Sequence, residues 1–279
     1  MREELLFQRF LEFLREDLPN GDVTSELVLD ENHRAKALFI SRDHGILSGI
    51  ELIRYFLDRL GIEAENLKPS GAEISEGDVL MRAVGNARLI LSVERTSLNL
   101  LSHLSGIATE TRKLVDKASR HGVKIAATRK TLPGLREFEK LAVVHGGGDP
   151  HRFSLSDMVL IKDNHKKLAG GIVKAIRRAR AASFSLKVEV EVENPEEALT
   201  AAREGVDIIM LDNFTPSAIR ETVQRLKEAG LRDRVTLEAS GGITPENIED
   251  YLTAGIDLIS VGYITKSARS LDISLEIVA

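Results

Sequence analysis

Six short apolar runs recur between Val123 and Gly262: "VKIAAT", "DMVLIK", "LKVEVEV", "VDIIMLD", "RVTLEAS" and "IDLISVG". Helical segments separate most of them, among them "AGGIVKAIRRARAA", "PEEALTAAREG", "PSAIRETVQRLKEAG" and "PENIEDYLTAG". Strands buried on both faces read as continuous apolar runs, and strands alternating with helices pair in parallel. Two architectures satisfy this, a (β/α) barrel and an open doubly wound sheet. Polar residues stand at the C-terminal end of nearly every run: Arg129 and Lys130, Lys162 and Asp163, Glu191, Asp212, Ser240 with Gly241 and Gly242, then Gly262. Barrel enzymes build their chemistry at that end of the strands. The repetition favours a barrel, although six runs fall short of eight strands.

The first hundred residues read as mixed α and β. An amphipathic helix lies in "MREELLFQRFLEFLREDLPNGD", a second in "IELIRYFLDRLG", and extended pieces in "RAKALFISRDHGILSG" and "GAEISEGDVLMRAVG". Asn86 is placed to cap the apolar helix "ARLILSVERTSLNLLSHLSG", which Gly106 should end before a second helix, "ATETRKLVDKASRHG". The acidic N-terminal helix lacks the basic start and unbroken apolar segment of a signal peptide. No apolar run approaches the ~18 residues needed to span a bilayer. The absence of cysteine excludes a disulfide framework, a thiol nucleophile and a Cys-ligated metal. A cytoplasmic protein without membrane contact is expected.

The net charge of −5 argues against a nucleic-acid surface. Yet Gly122 to Lys167 holds nine Lys/Arg against five Asp/Glu, a local +4. Such a reversal suits a focused pocket for a small anion. Arg129, Lys130, His151, Arg152 and Lys162 would converge on one mouth, where Arg supplies bidentate contacts to carboxylate or phosphate and Lys a point charge. The alternative is ion pairing with Glu137, Glu139 and Asp157. Glu189, Glu191 and Glu193 alternate along one strand and face one side of it. Glu191 and Asp212 are assigned to ribose hydroxyls or magnesium, whereas Glu189 and Glu193 fit lysine pairs on a polar face equally well. "EASGGITPEN" reads as a glycine turn leading into a helix near Pro245 with Thr244 as its cap, suited to a phosphate. His103, on an apolar helix, reads as a packed core histidine. GxGxxG with its acid, GxxxxGK[ST] and HExxH are all absent.

The run "ATRKTLPGLREFEKLAVVHGGGDPHRFSLSDMVLIKDNH" resembles the signature of the quinolinate phosphoribosyltransferase family, the carboxylating nicotinate-nucleotide pyrophosphorylases. The likeness extends through "GDVTSEL", "ERTSLNLLSHLSGIAT", "VEVEN", "LDNF", "EASGGI" and "LDISLE". It implies an N-terminal α/β sandwich domain over 1–104, with 268–279 packing back on it, and an incomplete TIM-like α/β barrel over 105–267. It also implies a head-to-tail homodimer with shared active sites, the unit of any higher oligomer. The implied reaction joins quinolinate to phosphoribosyl pyrophosphate with magnesium as cofactor. Its products are nicotinate mononucleotide, pyrophosphate and carbon dioxide.

Carried over residue by residue, the resemblance makes Arg129 a quinolinate ligand and Lys130 a catalytic contact near the phosphates. His151, Arg152 and Lys162 fall on the quinolinate, and Arg95 resembles the arginine that reaches into the partner subunit's site. Glu191 and Asp212 match the acids that bind ribose and magnesium, with Asp163 nearby as a metal ligand. Ser240, Gly241 and Gly242 look like a 5-phosphate cradle, joined by Gly262 and Lys266. Two positions depart from the pattern: Pro150 where the family has asparagine before the His-Arg pair, and Lys266 where it has histidine. Two relatives compete, nicotinate phosphoribosyltransferase and a non-catalytic protein associated with molybdenum uptake. "IKDNH" and "LDNF" argue against the second.

Overall fold

Each of the six apolar runs forms a strand. The upstream strands are β1 (Arg34–Ser41), β2 (Gly45–Ile46), β3 (Glu63–Asn66), β4 (Glu73–Ile74) and β5 (Val79–Asn86). The six then follow as β6 (Lys124–Ala126), β7 (Val159–Ile161), β8 (Val188–Val192), β9 (Ile208–Asp212), β10 (Thr236–Ser240) and β11 (Leu258–Ser260). All their pairings are parallel, in the order β6-β11-β10-β9-β8-β7. That order is chain order wrapped on itself, with β6 beside β11 and no pairing of β6 to β7. A doubly wound sheet would instead reverse at an internal switch point. The domain is therefore an incomplete α/β barrel. On the free side of β6, the Asp149 amide donates to the Ile125 carbonyl (2.8 Å) and the Ala127 amide to the Asp149 carbonyl (2.9 Å).

The returning helices start where the sequence supplies caps. Asn194 accepts from the Glu197 amide ahead of helix Pro195–Arg203, and Thr215 from the Ala218 amide ahead of Pro216–Glu228. Both helices place proline in the first turn, where its missing amide costs nothing. Along β8, Val188, Val190 and Val192 are buried on the alternate positions from Glu189 and Glu191. The period of two thus puts the valines on one face and both glutamates on the other.

The computed structural model describes residues 2–278, and the chain clusters into two units. The second, Lys113–Lys130 and Gly148–Lys266, is the barrel. The first comprises Met1–Arg112, Thr131–Gly147 and Ser267–Ala279. Its main sheet, in the order β12-β1-β5-β3, is antiparallel, with the C-terminal strand β12 (Ile273–Val278) hydrogen-bonded along β1. This division differs from 1–104 and 105–267 chiefly at Thr131–Gly147. That segment joins the first unit because Phe138 packs between Phe13 (6.1 Å between centroids) and Phe56 (6.5 Å), beside the stacked Phe10–Phe56 pair.

Two local expectations are corrected. Gly106 does not end a helix: one helix runs unbroken from Ala87 to Ser119, with Asn86 Oδ1 accepting from the Leu89 amide at its start. Gly106 is there because a Cβ would lie 2.2 Å from the Arg269 carbonyl oxygen, so a close backbone approach requires glycine. The helix expected near Pro245 begins only at Ile248 and spans five residues. Asn247 is the reason: its Oδ1 accepts from the Thr244 amide and its Nδ2 donates to the Gly242 carbonyl, holding 244–247 as a turn. The phosphate argument from that helix N-terminus therefore falls.

Candidate active site

At the C-terminal ends of the barrel strands lies a cavity of about 340 Å³. β7 contributes Leu160 and leads into Lys162; β8 contributes Glu191, β9 Met210 and Asp212, β10 Glu238 and Ser240, and β11 Ser260. The segment after β6 adds Ala127, Thr128, Arg129 and Lys130, and His151 and Arg152 complete the wall. The five basic residues expected to converge do line one cavity, with Glu191, Asp212 and Ser240.

Lys162 Nζ is hydrogen-bonded to Glu191 Oε2. Asp212 accepts from Asn213 Nδ2 at 2.7 Å. Burial holds the Asp212 carboxyl above its ordinary range, and nearby Glu191 pushes it further, against Lys162, Asn213 and Lys130. A half-buried carboxyl whose ionisation a second carboxylate opposes makes a place where a divalent cation would relieve repulsion. Glu191 and Asp212 therefore fit magnesium. Asp163 does not join them: it lies outside the cavity wall, pairs with Lys167 (3.3 Å) and accepts from the Asn164 amide, which lowers its pKa.

The remaining expected residues are distributed as follows. Gly241 (φ +93°) and Gly242 (φ +63°) turn the chain after Ser240, and a Cβ on Gly241 would strike Asn213 Oδ1 at 2.3 Å. Gly262 approaches the site closely, since a Cβ there would lie 3.1 Å from Lys130 Cδ. Lys266 is exposed at the end of the short helix Tyr263–Lys266, beside Thr265, whose hydroxyl donates to the Lys130 carbonyl. Arg95 is exposed on helix Ala87–Ser119 and belongs to the first unit. His103, also in that unit, holds Nε2 at 2.9 Å from the buried Glu139. Of the acids proposed as ion-pair partners for the cations, Asp157 instead accepts from the Phe153 and Ser154 amides and from the Ser154 hydroxyl.

One functional candidate, Glu238, is not marked by the sequence, and a second, Glu189, is left there between the site and a lysine pair. Glu238 lines the cavity, and Glu189 lies within reach of the same histidine; both are fully buried. His151 Nε2 stands 3.2 Å from Glu238 Oε2 and 3.5 Å from Glu189 Oε2. Glu189 is thus no lysine partner on a polar face, whereas Glu193 does face Lys166 at 3.5 Å. The signal available in the sequence is an acid at the same parity as a residue assigned to the site, Glu189 with Glu191 and Glu238 with Ser240.

Burial pushes the Glu189 carboxyl up to about 8, with Glu238 adding to the shift and His151, Arg152 and Lys162 opposing it. A raised folded-state pKa means the native protein keeps a proton that the unfolded chain releases above 4.5. Stability from this group is complete below 4.5 and drains away as pH rises to about 8, by at most ~1.4 kcal/mol per unit. Glu189→Gln cannot ionise, so its stability relative to the parent should rise steadily across that window. Urea midpoints at several pH values measure this; parallel curves for the two proteins would refute it.

An α/β barrel whose strand ends gather four cations, a histidine and a carboxylate pair has the makings of an enzyme acting on small anionic substrates. Known proteins narrow the class. Residues 107–276 match the family model of the quinolinate phosphoribosyl transferase C-terminal domain, and residues 22–105 that of its N-terminal domain. A probable carboxylating nicotinate-nucleotide pyrophosphorylase of Methanothermobacter thermautotrophicus is 47% identical over 269 residues, covering 95% of this chain and 96% of that protein. The carboxylating nicotinate-nucleotide pyrophosphorylase of Mycobacterium leprae is 39% identical, covering 95% and 93%. The solved nicotinate-nucleotide pyrophosphorylase of Francisella tularensis superposes with a TM-score of 0.92 at 38% identity, covering 99% and 97%. The chain belongs to the quinolinate phosphoribosyl transferase family. It is a phosphoribosyltransferase of NAD biosynthesis, a carboxylating nicotinate-nucleotide pyrophosphorylase.

Proposed function

We propose that the cavity binds quinolinate and phosphoribosyl pyrophosphate together with magnesium, and that a second copy of the chain completes it. The observation that carries this is the cavity wall itself: Arg129, Lys130, His151, Arg152 and Lys162 line one space together with Glu191 and Asp212. Quinolinate is a dianion and its partner a polyphosphate, so bringing them together requires several fixed cations. Arg129, Arg152 and Lys162 orient the two carboxylates, and Lys130 faces the phosphates. Ser240 and the glycine turn after it cradle the 5-phosphate, and Gly262 lets Lys130 approach. Magnesium, held by Glu191 and Asp212, would neutralise the departing pyrophosphate.

As the anomeric C–O bond breaks, positive charge develops on the ribose, and Glu191 and Asp212 stabilise it where it appears. The pyridine nitrogen attacks that carbon. The ring then carries positive charge beside the 2-carboxylate, and the C2–carboxylate bond breaks with its electron pair left on C2. Protonation there gives nicotinate mononucleotide and frees carbon dioxide. Positioning and charge suffice; no enzyme nucleophile is needed.

The direct test incubates the protein with quinolinate, phosphoribosyl pyrophosphate and magnesium and follows the mononucleotide and pyrophosphate. Absence of both would overturn the reading. The proposed dimer has its own test, because Arg95 belongs to the first unit and the cavity to the second. Arg95→Ala and Arg129→Ala proteins should each be nearly inactive, yet mixed they should regain activity, since one site in each heterodimer would be intact. No recovery despite proven subunit exchange would count against sharing. No helix among the described residues is long and apolar enough to cross a membrane.

A further inference from the structure

Both ring nitrogens of His151 are engaged within the protein. Nδ1 lies 2.9 Å from the Arg152 amide, which can only donate, so Nδ1 is an acceptor and carries no proton. The ring proton must then sit on Nε2, which points at Glu238 Oε2 at 3.2 Å. The His151 backbone is held as well: its amide donates to Asp149 Oδ1 at 2.6 Å, and its φ is +52°, a left-handed conformation that a side chain rarely adopts without support. Asp149 is in turn paired through its backbone to β6. The His151–Arg152 segment is therefore fastened at one end to β6 and at the other, through an imidazole, to β10.

We infer that Glu238 is a positioning residue: it fixes His151 as the Nε2–H tautomer, and His151 so held sets the place of Arg152. Arg152 lines the cavity while remaining almost wholly buried, with 9% of its surface exposed. A guanidinium in that position tolerates little displacement before its bidentate contacts fail. Glu189, also fully buried and with neither carboxylate oxygen hydrogen-bonded, stands 3.5 Å from the same Nε2. It closes off the second direction in which the ring could turn. The ligand atoms of His151, Glu189 and Glu238 all lie within 4.8 Å of one another, so a divalent cation is the rival occupant. Such an ion would take the Nε2 lone pair and leave no proton there, which makes the two arrangements distinguishable.

The inference rests on the proposed binding of quinolinate in this cavity, but one arm of the test does not. Nitrogen-15 spectra of the full-length protein labelled at histidine should show His151 protonated at Nε2 and bare at Nδ1. The reverse tautomer, or tightly bound metal in the protein as purified, would overturn the assignment whether or not the enzyme turns over quinolinate. In the kinetic arm, Glu238→Leu should raise KM for quinolinate by about tenfold or more, with KM for phosphoribosyl pyrophosphate much less changed. Glu238→Gln, whose amide oxygen can still accept from Nε2–H, should restore most of that loss. In a His151→Ala background, Glu238→Leu should add less than about twofold, since its effect passes through the imidazole. A full, multiplicative loss in that background would overturn the inference, as would failure of Glu238→Gln to rescue with the fold intact.

Discussion

Asp212→Asn and Glu191→Gln should each lower turnover by about 10²–10³-fold while quinolinate alone binds nearly as before. Both substitutions keep size and hydrogen-bonding shape and remove one negative charge. The charge matters because Asp212 ends β9 in a partly desolvated cavity, where burial and Glu191 already make ionisation costly. A carboxylate kept ionised at such cost repays it where positive charge is held or develops, at the magnesium it would bind and at the ribose as pyrophosphate leaves. Quinolinate bound alone carries no such positive charge, so its affinity gains little from either carboxylate. For Glu191 there is a second consequence, because its partner Lys162 would lose its counter-charge. Lys162 would then attract the dianionic acid more strongly, so the quinolinate KM should hold or fall even as kcat collapses. Turnover and equilibrium binding of quinolinate, measured separately at saturating magnesium, decide the matter. Near-normal turnover in either variant would remove that residue from the electrostatic role.

The elements legible in the sequence are those set by local periodicity. All six barrel strands lie inside their apolar runs, and Glu191, Asp212 and Ser240 at their ends line the cavity because a period of two carries the last inward residue to the mouth. Gly106 was misread because its reason lies 163 positions away, at the Arg269 carbonyl, where no local pattern could point. The turn at 244–247 was misread because Asn247 satisfies the Thr244 amide, and proline at 245 looked like an ordinary helix start. Thr131–Gly147 sits in the segment that carries the signature, yet Phe138 commits it to the aromatic core of the other unit. Asp163 shares its neighbourhood with Lys162 in sequence, but one residue along a helix start turns its carboxylate to Lys167. Glu238 is the converse. It sits inside a motif already singled out for its glycines, and only closure of the barrel shows that its side chain points inward at His151.

Quinolinate should be preferred over nicotinate by more than about thirtyfold in kcat/KM, and Arg152→Ala should erase most of that preference. Nicotinate lacks the 2-carboxylate, so it leaves one cation of the cup without its partner. Arg152 is the one for which this costs most. It is almost wholly buried, and its guanidinium is held below its usual pKa by burial and by the like charge of Arg129, against the pull of Glu189, Asp157 and Glu238. Its ionised form is therefore already disfavoured before substrate arrives, and a second carboxylate relieves it. Removing the partner of a buried charge typically costs about 2–5 kcal/mol, roughly thirtyfold to several thousandfold in rate or affinity. Lys162 cannot substitute, because Glu191 already answers its charge. In Arg152→Ala the penalty against nicotinate disappears together with the benefit to quinolinate, so the two acids should converge to within about tenfold at a much lower common rate. Steady-state kinetics with both acids on both proteins make the comparison. Equal kcat/KM for the two acids in the parent enzyme would reassign the substrate to nicotinate. A preference that survives Arg152→Ala intact would move the discrimination to Arg129.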